Sequence, residues 1–145
     1  MDSVRGCKIP EDLYYNVDSN VWARPDANGI LTVGMTSYAC SLSGQIVSYT
    51  PRKVGKVVKK NKSCATVESG KWVGPVNAPV TGMVIAINDA LEKHPELINS
   101  DPYGEGWIVK IQPHDWAGDS QDLVTGADAL SRFDQKMDDD GFGGC

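Results

Sequence analysis

Short apolar, β-branched runs broken by Gly and Pro fill the middle of the chain, and this pattern constrains the fold more than any other feature. Ser63-Cys64-Ala65-Thr66-Val67 reads as one strand and Met83-Val84-Ile85-Ala86-Ile87 as another, with Trp72-Val73-Gly74-Pro75-Val76 leading from the first toward the second. Between the first two runs stands Glu68-Ser69-Gly70-Lys71-Trp72. Gly70 is expected to supply the positive φ of a tight turn, because glycine alone enters that region without steric cost. Such a turn pushes Lys71 out at or beside a hairpin tip. An ordinary lysine there is a solvated charge that blunts a sheet edge.

The same punctuation recurs along the chain. Leu13-Tyr14-Tyr15 and Val21-Trp22-Ala23-Arg24 read as strands, and Pro25 to Gly29 as a hairpin turn whose Asn28-Gly29 pair favours tight reversal. Ile30 to Gly34 is the partner strand, and Gln45 to Tyr49 a further one. Thr36 to Leu42 has the length of a short helix, capped by Thr36 or Ser37 and ended near Gly44. Asp89 to Leu97 reads as a second helix capped by Asn88 or Asp89, and Trp107 to Ile111 as a final strand. Thr125 to Met137 carries helical apolar spacing through Ala127, Leu130 and Phe133. The Asp- and Gly-rich residues 138–145 are expected to form a flexible tail. The reading is therefore mainly β, a flattened barrel or sandwich with short helices and a C-terminal helix. Residues 1–12 form a lead-in and 13–137 one domain.

Composition enters as a set of exclusions. A chain of 145 residues with 41% hydrophobic content holds one real core and is too short for two ordinary domains. It has no run of the ~18 apolar residues that span a membrane, and no signal-peptide core, so a cytoplasmic location is expected. A net charge of −5 argues against general nucleic-acid binding. The stretch Pro51 to Lys62 nevertheless holds six basic residues and no acid. It reads either as the solvated face of a strand and loop, or as a positive patch close in sequence to the hairpin and suited to an acidic partner. Of the four cysteines none has C-x-x-C spacing, so no zinc or thioredoxin motif is supported. Cys64 is expected as a buried apolar residue, and Cys7, Cys40 and Cys145 as free thiols, since a reducing compartment disfavours disulfides. His94 and His114 have no evident metal-ligating companions, and no catalytic constellation is visible.

Glu68-Ser69-x-Lys71, Ala78-Pro79-Val80-Thr81-Gly82 and Asn88-Asp89-Ala90-Leu91 together resemble the lipoyl-carrier H-protein family of the glycine cleavage system. Leu31 to Thr36, Gly44 to Val47, Pro95 to Gly104 and Gly106-Trp107 fall in that family's order and spacing, over roughly Leu13 to Ile111. The resemblance implies the family's lipoyl/hammerhead-type fold and lipoate amide-linked to Lys71, with Glu68, Ser69, Gly70 and Trp72 forming the attachment turn. Biotin carriers use a similar hairpin but flank their lysine with methionines, where this chain has Gly70 and Trp72. A carrier of this kind is not itself an enzyme. Its implied partners are a lipoate-attaching ligase or transferase and dithiol-using enzymes, dihydrolipoamide dehydrogenase among them.

The chain departs from the family pattern at several positions. Ser37-Tyr38 stands for a Glu-His pair, Gly44-Gln45 for Gly-Asp, and Asp18-Ser19-Asn20-Val21-Trp22 for a charged Glu-His-Glu-Trp-like segment. These departures resemble the divergent lipoate-binding proteins of sulfur-oxidising bacteria. That implies a swinging dithiol arm carrying sulfur intermediates for a heterodisulfide-reductase-like complex. A glycine cleavage carrier of aminomethyl groups and an unmodified interaction domain are the alternatives. Cys40 and Cys145 are candidate accessory thiols, able to form mixed disulfides with the arm.

Overall fold

The computed structural model describes residues 2–145. Its elements run in chain order as strands β1 Ser3–Val4, β2 Cys7–Lys8, β3 Tyr14–Asn16, β4 Val21–Pro25 and β5 Leu31–Met35, helix α1 Ser37–Ser43, then β6 Ile46–Pro51, β7 Val57–Val58, β8 Ser63–Ser69, β9 Val73–Asn77 and β10 Gly82–Ile87. Helices α2 Ala90–Lys93 and α3 Leu97–Ser100, strand β11 Val109–Pro113, helix α4 Trp116–Asp119, strand β12 Val124–Thr125 and helix α5 Gly126–Asp139 complete the chain. One sheet has the order β12-β3-β4-β5-β11-β10-β7 and a second the order β6-β8-β9, while β1 and β2 form a small hairpin of their own. All pairings are antiparallel. The sandwich of the expectation is what forms. No helix among the described residues is long and apolar enough to cross a membrane.

The main core lies between the two sheets. Leu31, Val33, Val84 and Ile111 of the large sheet meet Ile46, Cys64, Val67 and Val76 of the small one, all nearly or fully buried. Alternation explains this: in β8 the buried residues are Cys64, Ala65, Val67 and Ser69, while Thr66 and Glu68 face out. Cys64 is thus the small buried apolar residue that its strand suggests, with a thiol pushed up to about 12 by burial.

A second core corrects the outer boundaries drawn from the sequence. Val4, Cys7 and Ile9 are buried together with Tyr15, Trp22, Tyr38, Ala129, Phe133 and Met137. Residues 1–12, expected as a lead-in, therefore supply core side chains from Val4 onward. The tail is corrected too. Helix α5 runs to Asp139, and the chain then turns back so that Phe142 stacks edge-on against Tyr38 at 4.7 Å between ring centroids. The Tyr38 hydroxyl donates to Asp140 Oδ2 at 2.5 Å, and the Arg5 guanidinium donates to the Phe142 carbonyl at 3.0 Å. Cys145 closes the segment with a disulfide to Cys7, the Cα atoms 5.0 Å apart. A Gly-rich composition is a poor guide here because apolar Phe142 and Cys145 have partners more than a hundred positions away.

Two local readings also change. The helix expected over Asp89 to Leu97 divides into α2 and α3, because Pro95 disfavours helical backbone at His94. Neither Asn88 nor Asp89 caps by its side chain; instead the Asn88 amide donates to the carbonyls of Glu105 and Trp107 at 2.7 and 2.9 Å. The strand expected as final is followed by β12, which pairs Val124 with Tyr15. By contrast α1 starts as expected, with the Thr36 hydroxyl accepting from Ala39 N.

Candidate functional site

Strands β8 and β9 are joined by Gly70-Lys71-Trp72 alone. The turn closes through Ser69 N donating to the Trp72 carbonyl at 2.7 Å. Ser69 is buried, and its hydroxyl does two things at once: it donates to the Ser43 carbonyl at 2.6 Å and accepts from Lys71 N at 3.3 Å. The first bond docks the turn onto the last residue of α1, where carbonyls lack intrahelical partners. The tip is therefore braced rather than free-swinging, although Lys71 itself is exposed. Among the described residues no carboxylate lies within ion-pair distance of its ammonium group. These are the properties that an attachment lysine requires: a reachable, unpaired amine on a fixed backbone.

The five turn residues named from sequence come together, with different roles. Glu68 is exposed on β8 and stands opposite Ser48 on one side and Val73 on the other. Trp72 keeps 38% of its surface exposed while its indole covers Gly74. Gly70 overturns its expected reason: it is not among the residues with positive φ, and a Cβ added there meets nothing within 4 Å. A three-residue connection closes without left-handed backbone at this position.

The glycine that matters is Gly44, whose role beside the lysine is not legible in the sequence. It caps α1 with φ 80° and ψ −172°, a region essentially confined to glycine. A Cβ there would stand 3.1 Å from Lys71 Cε, so the lysine stem lies across this glycine. Asn99 holds the loop from both sides, donating to the Gly44 carbonyl at 2.9 Å and accepting from Ile46 N at 2.8 Å. Gly44→Ala is expected to lose about 1–3 kcal/mol through backbone strain and to displace the Lys71 stem. Gly70→Ala should be neutral or stabilising by up to about 1 kcal/mol. Urea unfolding of both variants checks the contrast, and equal destabilisation would refute it.

A cavity of about 230 Å³ opens beside the turn, lined in part by Ser19, Asn20, Met35, Leu42, Ser43 and Trp72. None of its described lining residues is charged. Leu42 and Val73, exposed at 45% and 62%, extend the apolar rim around Lys71.

Other expected features lie elsewhere. Cys40 is buried, its thiol donating to the Ile98 carbonyl at 3.3 Å and pushed up to about 12 by desolvation, so it is not a ready nucleophile. Cys145, expected as a mobile free thiol, is held in the disulfide to Cys7. Tyr38, one of the residues at which the chain departs from the family pattern, is fully buried. The basic run sits at the far end of β8 from Lys71, roughly 20 Å away along the strand. Within it Lys60 pairs with Asp119 and Asp122, whereas Lys53, Lys56, Lys59 and Lys62 have no ion-pair partner among the described residues. His94 faces Glu96 at 3.1 Å and His114 is exposed.

Comparison with known proteins agrees with this geometry. The family model described as "Glycine cleavage H-protein" matches residues 13–136. "Glycine cleavage system H protein 5" of Aquifex aeolicus is 54% identical over 117 residues, covering 78% of each chain. "Glycine cleavage system H protein 2" of the same organism is 44% identical over 138 residues, covering 95% of this chain and 86% of its own. The crystal structure of a glycine cleavage system H protein from Mycobacterium marinum superposes with a TM-score of 0.74 at 31% identity, covering 92% of this chain and all of that one.

Proposed function

The chain belongs to the glycine cleavage H-protein family, and from that premise we propose that it carries lipoate on Lys71 and uses the arm to move sulfur intermediates for a heterodisulfide-reductase-like complex. When bound, the lipoyl group supplies a disulfide that opens to a dithiol and holds a cargo on sulfur. The residues of the chain supply the rest. Ser69 and Ser43 fix the turn backbone, Gly44 leaves room for the Lys71 stem, and Trp72 with Leu42 presents an apolar surface to the arm. Amide formation removes the Lys71 charge, which makes entry of the arm into a partner's cleft less costly. Attachment calls for a lipoate ligase or transferase, and re-oxidation of the dithiol for an enzyme such as dihydrolipoamide dehydrogenase.

The observation that carries the sulfur reading is the uncharged lining of the cavity beside Lys71. A protonated aminomethyl cargo sheltered there would find Ser19, Asn20 and Ser43 but no carboxylate to offset its desolvation. A sulfur cargo is polarisable and a weak hydrogen-bonding partner, and a lining of Met35, Leu42, Trp72 and hydroxyl groups suits it. The alternative, an aminomethyl carrier for glycine cleavage, is favoured by the names of the Aquifex relatives. Intact mass of the lipoylated chain after incubation with a sulfane-sulfur donor, and separately with a glycine decarboxylase and glycine, tests the two. Added sulfur on the arm supports the proposal. An aminomethyl adduct formed without any sulfur loading returns the chain to glycine cleavage.

A further inference from the structure

A surface groove of about 350 Å³ is lined by Lys8, Ser37, Cys40, Ser41, Asn99 and Cys145, among others. Two of these residues lead directly to Lys71. Asn99 bonds the Gly44 carbonyl at 2.9 Å, and Gly44 is the glycine across which the Lys71 stem lies. Ser41 stands three positions before Gly44 at the end of α1, a rise of about 4.5 Å. A lipoyl chain extends about 10 Å beyond a lysine Nζ, from bond lengths near 1.5 Å. The groove is therefore within the sweep of an arm on Lys71.

We propose that the Cys7–Cys145 pair and the lipoyl arm of Lys71 exchange disulfides within one molecule, across the groove between α1 and Asn99; this rests on the reading of Lys71 given above. Burial makes the exchange directional. Cys7 is fully buried and Cys145 exposed, so an arm in the groove meets Cys145. Cys40 lines the same groove, but its thiol is engaged with the Ile98 carbonyl.

The balanced step runs from an open cysteine pair and an oxidised arm. The Cys145 thiolate attacks one lipoyl sulfur, the lipoyl S–S bond breaks, and the second lipoyl sulfur takes up a proton. The Cys7 thiolate then attacks Cys145 Sγ, the mixed bond breaks, and the first lipoyl sulfur leaves and is protonated. Two electrons and two protons pass from the cysteines to the arm, with no outside oxidant. The fold brings the two Cα atoms to 5.0 Å in the closed pair, a separation that a disulfide spans without strain, so the second attack finds its partner close at hand. An open pair thus passes two electrons to the arm once and ends as the disulfide that the structure holds.

A Cys7→Ser chain, its lipoylation verified by intact mass, removes the resolving thiol and should arrest the exchange as a Cys145–lipoyl mixed disulfide. Non-reducing peptide mass spectrometry is expected to find residues 71 and 145 cross-linked through the arm. A Cys7→Ser, Lys71→Arg chain given equimolar free lipoamide at about ten micromolar should yield about a hundredfold less adduct, since a short tether gives millimolar effective concentration. The wild-type lipoylated chain, half-reduced and quenched with iodoacetamide, should give the same cross-link, so the result does not depend on how the variant folds. A lipoylated chain without that cross-link in either preparation, or with no advantage over free lipoamide, overturns the exchange alone. A chain that accepts no lipoyl group at Lys71 overturns both readings.

Discussion

Lys71→Arg is expected to abolish lipoylation entirely while leaving the fold unchanged. The modification needs a neutral amine as nucleophile, and a guanidinium with a pKa above about 12 does not supply one. The exchange preserves the charge and most of the stem, and Lys71 makes no side-chain hydrogen bond or ion pair among the described residues. The braces of the turn run through Ser69, Ser43 and the Trp72 carbonyl, none of which changes. Stability should therefore stay within about 0.5 kcal/mol of the parent chain. Intact mass after incubation with a lipoate ligase reads the modification, and urea unfolding reads the fold. Lipoylation of the Lys71→Arg variant at the parental level would remove Lys71 from its assigned role.

The second large effect concerns the link between Cys7 and Cys145. The two residues are 138 positions apart, and a bridge closing so long a loop is worth about 2–5 kcal/mol, chiefly by restricting the unfolded chain. The Cys7→Ser, Cys145→Ser double variant should lose that amount in urea unfolding. The parent chain under a strong phosphine reductant should fall to the same midpoint, because both lose the one bond. Loss on the native side adds to it: the segment beyond α5 brings Phe142 onto Tyr38 and its carbonyl to Arg5. A double variant as stable as the oxidised parent would mean that the apolar contacts of the second core hold the two segments together unaided.

Features set by neighbours in sequence are legible without the structure. Thr36 caps α1 and Gly29 turns at φ 80° after Asn28. The C-terminal helix is legible as a helix but not by its face: of Ala127, Leu130 and Phe133 only Phe133 is buried, Ala127 is exposed and Leu130 half-buried, and Ala129 and Met137 join Phe133 in the core instead. The tight turn around Lys71 is legible too, but partly for the wrong reason, since the glycine with positive φ is Gly44 rather than Gly70. That error has a physical origin. Sequence reading assigns glycine a role from its own hairpin, whereas the constraint comes from a helix end packed beneath it. Asn99 and the Cys7–Cys145 bond are invisible for the same reason, their partners lying 53 to 138 positions away. The basic run reads as close to the lysine because it is close along the chain. Strand β8 separates them by its full length.

The composition of the second core has a consequence for how the protein is made. Its buried residues come from Val4 to Tyr38 and again from Ala129 to Met137. Synthesis delivers residues at about 5–20 per second, so the first group waits several seconds for the second. Strands β5 to β11 and the loop around Lys71 have most of their partners within that stretch and are free to assemble during the wait. A nascent chain would thus display a finished Lys71 turn while Trp22 and Tyr15 still lack the helix that covers them. Modification enzymes would meet their target before the barrier to unfolding is fully raised, and quality-control proteases would see the apolar strip formed by β3 and β4 during the same interval.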